Sequence, residues 1–99
     1  MNFDDLLKII FYDYEKPPTV DLTTFKNWLS TMLDDREFNI IMARFGIESE
    51  TQTFAQIATW VSNKKGDGGL GITEKTVLKI EGEAIKKLQD PSRRKLLAT

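Results

Sequence analysis

Few residues of this 99-residue chain have the types and spacing that covalent chemistry requires. It contains no histidine and no cysteine, which removes the commonest general base, the thiolate nucleophile, the disulfide and the zinc-thiolate centre together. Asp4-Asp5 and Asp34-Asp35 are paired carboxylates. Each pair falls at the start of an apolar-periodic segment, where the partial positive charge of a helix N-terminus accounts for it. Gly66, Gly68 and Gly71 match G-x-G-x-x-G ahead of a helix. A dinucleotide signature needs a strand in front of it, whereas here a helical segment precedes, and no Lys-Ser or Lys-Thr follows to complete a P-loop. The sequence thus predicts no enzyme, cofactor, metal or small-molecule substrate. Lys64-Lys65 and Arg93-Arg94-Lys95 are short basic runs, which are solvated surface by default and phosphate contacts where a polyanion is the partner.

Charge distribution says more than its sum. The formal net charge is -1, but residues 1 to 52 carry 5 Lys/Arg against 10 Asp/Glu and residues 53 to 99 carry 9 against 5. A polyanion would approach the C-terminal half. A hydrophobic content of 40% suits one small domain with a modest core, and no apolar run approaches the ~20 residues of a membrane span. A cytoplasmic, membrane-free protein is the expectation.

The elements that must position these residues are helices. Ile72 to Leu88 reads as one long helix capped by Thr73, with Val77, Ile80, Ala84 and Leu88 on one face, Leu78 and Ile85 beside them, and Asp90-Pro91 as its end. Glu81 falls inside that apolar arc and so needs a cationic partner, expected from Arg36 or Arg44. Gly82 costs about 1 kcal/mol in a helix interior relative to alanine. Upstream, Asn2 can cap a helix bearing Phe3, Leu6, Leu7, Ile10, Phe11 and Tyr14, stopped by Lys16-Pro17-Pro18. Thr19 or Asp21 can start a second helix with Leu22, Phe25, Trp28, Leu29 and Met32. Asp34 and Glu37 have capping-box spacing before Phe38, Ile41, Met42 and Phe45, and Gly46 closes that helix. Thr53 and Gln56 repeat the box before Phe54, Ile57, Ala58 and Val61. Ser62 to Gly71 is too glycine-rich for a helix and is expected to be a flexible loop or a tight hairpin, with the highest mobility of the chain. Beyond Pro91, Ser92 can cap a short basic turn, with Leu96 and Leu97 able to fold back. The predicted class is an all-α bundle of about five helices with a helix-turn-helix whose turn is a long Gly-rich loop.

From Leu33 onward the chain resembles the fourth conserved region of bacterial sigma-70 family factors. The family pattern runs approximately L-T-x-R-E-x-x-V-L-x-x-R-F-G-I, then T-L-E-E-I-G, then V-T-R-E-R-I-R-Q-I-E-x-x-A-L-x-K-L-x-x-P-S-R. This chain has LDDREFNIIMARFGI, TFAQIA and ITEKTVLKIEGEAIKKLQDPSR in the same order. The likeness covers about two-thirds of the chain. It implies residues 1–32 as an N-terminal helical extension and 33–99 as a sigma region-four-like domain.

In the family this region reads the -35 promoter element with its recognition helix and holds the flap of the RNA polymerase β subunit in an apolar groove. Carried over by position, the resemblance implies phosphate contacts at Arg36, Arg44 and Thr53, and Thr73, Lys75, Thr76 and Lys79 facing DNA bases. It implies Ile41, Phe45, Ile85, Leu88 and Leu96 as the polymerase surface. The family's arginine-rich reading positions are replaced here by Glu74, Lys75, Thr76, Leu78 and Lys79, so the residues best suited to bidentate guanine contacts are lost and a carboxylate is placed near DNA. The expected function is a transcription-initiation module that binds core polymerase, with promoter DNA as a further partner. Two alternatives stand beside it: a sigma mimic that binds polymerase by protein contacts alone, and a stand-alone operator-binding repressor.

Overall fold

The computed structural model describes residues 2–62 and 73–98. Within them the protein is all-α: α1 (Phe3–Ile10), α2 (Leu22–Met32), α3 (Asp35–Arg44), α4 (Phe54–Ser62), α5 (Glu74–Gln89) and α6 (Pro91–Ala98). The Gly-rich connection between α4 and α5, with Lys64-Lys65, lies outside the described residues.

Helix starts follow the side-chain chemistry of their caps. Asn2 and Asp34 form capping boxes with Asp5 and Glu37, Asp21 accepts from the Thr24 amide, and Thr73 from the Thr76 amide. At the end of α3, Gly46 takes the left-handed conformation, φ 58°. The Ile47 amide then donates to the Met42 carbonyl at 3.0 Å and the Gly46 amide to Ala43 at 3.4 Å, a Schellman closure. A β-carbon at Gly46 would stand 2.6 Å from Thr51 Oγ1 and 3.0 Å from the Ser49 carbonyl oxygen. Gly46→Ala therefore combines left-handed strain, about 1–2 kcal/mol, with a steric clash. It should lower the melting temperature by several degrees; an unchanged melting curve would refute the steric argument.

α5 packs against each of the other five helices. On one side Leu6, Leu7, Ile10 and Phe11 of the α1 segment, Phe25, Trp28 and Leu29 of α2, Ile41 and Phe45 from α3, Ala84 and Leu88 of α5 and Leu97 of α6 form the main core. The helices before residue 33 and those after it therefore share one apolar interior. A smaller cluster joins Ile40 and Ala43 of α3 to Ile57, Ala58 and Val77, and this is where α4 attaches. α3 is thus buried on two faces; the periodicity of Phe38, Ile41, Met42 and Phe45 shows only one, and Ile40 with Ala43 makes the other.

Two expectations are corrected. The short basic turn expected after Pro91 is a sixth helix among the described residues, and Asp90 rather than Ser92 is its cap, accepting from the Arg93 amide at 3.2 Å. Proline at the first position of α6 has no amide to leave unsatisfied. That turn puts Leu97 into the core and buries Arg94. Secondly, α1 stops at Ile10 instead of continuing past Tyr14. Its last carbonyls are claimed from elsewhere, Ile9 by Gln89 Nε2 at 2.9 Å and Ile10 by Arg94 Nη1 at 3.1 Å. The Tyr14 amide turns to the Phe11 carbonyl instead, at 2.9 Å.

Candidate nucleic-acid and polymerase interface

α3 and α5 run antiparallel and are tied at both ends. At one, Lys87 Nζ donates to Glu37 Oε1 at 2.8 Å, with the Glu37 side chain buried. The bond to Glu37 holds the Lys87 ammonium above its ordinary pKa. At the other, Arg44 Nε approaches Glu81 Oε2 at 3.4 Å, the pairing that the helical phase of Glu81 requires. The Arg44 guanidinium also donates to the Gln52 carbonyl at 3.1 Å and lies 4.0 Å from the centre of the Phe54 ring. Burial raises the Glu81 pKa above its ordinary value, and Arg44 opposes that shift without reversing it.

These contacts reassign Arg44. Implied as a phosphate ligand, it is enclosed by Glu81, Gln52 and Phe54, with its side chain only 16% exposed. It fixes α3, the α4 entry and α5 to one another. Arg36 is exposed at the start of α3. Thr53 is exposed, but its hydroxyl accepts from the Gln56 amide at 3.1 Å, and its own amide donates to Gln56 Oε1 at 2.9 Å. The Thr53 groups thus serve the α4 capping box.

At the start of α5 the residues implied to face bases are brought together. Thr73 Oγ1 accepts from the Thr76 amide at 3.2 Å and lies 3.2 Å from the Thr76 hydroxyl. Lys75 and Lys79 follow on the exposed side with Leu78, which is 54% exposed, while Thr76 is half-buried. Among the described residues neither Lys75 nor Lys79 forms an ion pair. Lys75 and Lys79 can therefore meet a macromolecular surface without dismantling the fold, whereas the Thr73 hydroxyl, like that of Thr53, is engaged in capping its helix.

The implied polymerase residues divide differently. Ile41, Phe45 and Leu88 are fully buried in the main core, covered from the side that α1 and α2 supply, so in this packing they offer no surface to a partner. Ile85 is half-buried against the same core, and Leu96 is 65% exposed on α6. The physical reason is the amphipathic N-terminal pair: small domains need such faces for their own interior.

Sequence reasoning missed a group that locks this side. Arg94 is buried and donates to Asp13 through Nη1 and Nη2 at 2.6 and 2.8 Å. The arginine holds the Asp13 carboxyl below the ordinary carboxylate range. Trp28 Nε1 donates to the Arg93 carbonyl at 3.0 Å. The available signal was Arg94 one turn into a proline-started helix; nothing local identified Asp13 as its partner. No helix among the described residues is long and apolar enough to cross a membrane, and these residues hold no cluster of three or more metal-ligating side chains. Compared with protein-family models, curated proteins and solved structures, the chain has no significant match in any of the three.

Proposed function

We propose that this protein is a transcription-initiation module of the sigma region-four type that presents α5 to promoter DNA and docks on core RNA polymerase, acting by binding without catalysis. The observation that carries this reading is the scaffold itself. Arg44 and Glu81, both in the resembled motif, join α3 to α5 and leave Lys75 and Lys79 exposed. The polymerase contact uses the surface around Leu96 and Ile85, because the deeper apolar residues are covered by α1 and α2. Without the arginines of the resembled pattern, DNA binding by the isolated protein is weak and sequence-tolerant. Useful affinity arises when polymerase attachment raises the local concentration of promoter.

A second reading, the operator-binding repressor, is favoured by one observation: burial of Ile41, Phe45 and Leu88 removes much of the apolar surface that a flap would need. Titrating the full chain with core polymerase, with and without its flap, and separately with promoter duplex separates the two. The expected result is flap-dependent polymerase binding together with weak DNA binding whose log K falls with log salt at about -0.9 per phosphate contact. Tight, sequence-selective DNA binding at physiological salt with no affinity for polymerase would overturn the sigma-type reading in favour of the repressor.

A further inference from the structure

Two glycines lie among the described residues, and only one is explained by the fold. Gly46 needs its positive φ and has no room for a side chain. Gly82, in the middle of α5, is exposed, has no such backbone requirement, and an added β-carbon would meet nothing within 4 Å. Glycine there weakens the helix relative to alanine and gains no internal packing in return. A bare helix surface instead admits close approach from outside.

The neighbours of Gly82 indicate what approaches. Lys75, Lys79, Gly82 and Lys86 follow the i, i+4, i+7, i+11 spacing that places residues on one helix face, and all are exposed. None of the three lysines forms an ion pair with a described residue. Lys75 to Lys86 spans about 16 Å along the axis, more than the ~12 Å width of a DNA major groove. Leu78 flanks the stripe as an exposed apolar side chain suited to a sugar or a thymine methyl. Glu74 and Glu83 are the exposed carboxylates of the same helix; Glu83, four residues after Lys79 and three before Lys86, borders the stripe on one flank and leaves the Gly82 flank open to a phosphate. A second copy packed symmetrically on this face would bring its lysines against these, a like-charge contact that disfavours self-association.

We propose that the phosphate backbone of duplex DNA crosses α5 at Gly82, held by Lys79 on one side and Lys86 on the other, with Lys75 reaching a further phosphate. This rests on the DNA-contacting part of the proposed function and extends it. The contact moves from the N-terminal turn of α5 to its middle, and it is non-specific because it reads charge and shape rather than bases.

The test uses the full-length chain, a fluorescently labelled mixed-sequence duplex of about two helical turns, and core polymerase in parallel. Gly82→Ala should raise the melting temperature, since the fold does not require glycine; a lowered one would overturn the argument. Gly82→Leu should remain folded and weaken DNA binding roughly tenfold, leaving polymerase binding unchanged. Lys79→Gln and Lys86→Gln should each reduce the salt slope by about 0.9. Wild-type binding to DNA that is indifferent to Gly82→Leu, Lys79→Gln and Lys86→Gln would overturn the Gly82 crossing while leaving the DNA reading intact. No binding of the wild type to duplex DNA, alone or on polymerase, would overturn both. Loss of polymerase binding in Gly82→Leu with DNA binding retained would assign the bare face to a protein surface and overturn the proposal.

Discussion

Arg44→Ala is expected to reduce the unfolding free energy by about 3–5 kcal/mol, because it strands a buried carboxylate. Glu81 has a side chain only 8% exposed, and Arg44 is its ion-pair partner. The same substitution frees the Gln52 carbonyl and removes the cation from the Phe54 ring, loosening the α4 entry as well. Glu81→Gln should cost much less, since a neutral amide tolerates burial and the arginine keeps its contacts with Gln52 and Phe54. The pH dependence has a definite sign. The folded pKa of Glu81 is already raised by burial, so its contribution favours the fold most below the unfolded value, near 4.5, and is lost as pH rises through the folded value. Without Arg44 that folded value rises further. The deficit of Arg44→Ala should therefore be full at neutral pH and shrink on acidification as Glu81 takes up its proton. Urea titrations at several pH values check this, and a pH-independent deficit would refute the carboxylate explanation.

Phe45→Ala is expected to be comparably severe, about 3–5 kcal/mol, the range for removing a buried aromatic ring and leaving a cavity. Phe45 is fully buried where α3 meets the α1, α2, α5 and α6 contributions to the main core. For a small domain whose total stability is roughly 5–15 kcal/mol, that is a large fraction of the whole. Phe45→Asp and Leu88→Asp should fail to fold, so neither can probe a polymerase groove by loss of binding. Leu96→Asp, on an exposed side chain, is the suitable probe. A Phe45→Ala protein with an unchanged urea midpoint would mean that the N-terminal helices do not close over this residue.

The six-helix arrangement was partly legible because short-range chemistry sets helix boundaries. Asn2, Asp21, Asp34, Thr53 and Thr73 are each followed three residues later by the amide that they cap. Gly46 ends α3 because a left-handed residue is needed there. The partner of Glu81 could be narrowed to two arginines, since helical phase placed the carboxylate in an apolar arc and burial demands compensation. Such information lies within one helical turn or one helix face.

Only the tertiary structure decided which apolar faces remain available. Ile41, Phe45 and Leu88 have the same side chains whether they line an open groove or a closed core. The choice falls to α1 and α2, whose sequence distance from them carries no packing information. The same is true of the end of α1. Its periodicity continues to Tyr14, but Gln89 and Arg94, about 80 residues further on, take its terminal carbonyls and stop the helix at Ile10. Arg44 changes from a phosphate candidate to a structural clamp for a similar reason: a guanidinium suits phosphate, carboxylate and an aromatic face, and only three-dimensional proximity selects Glu81, Gln52 and Phe54.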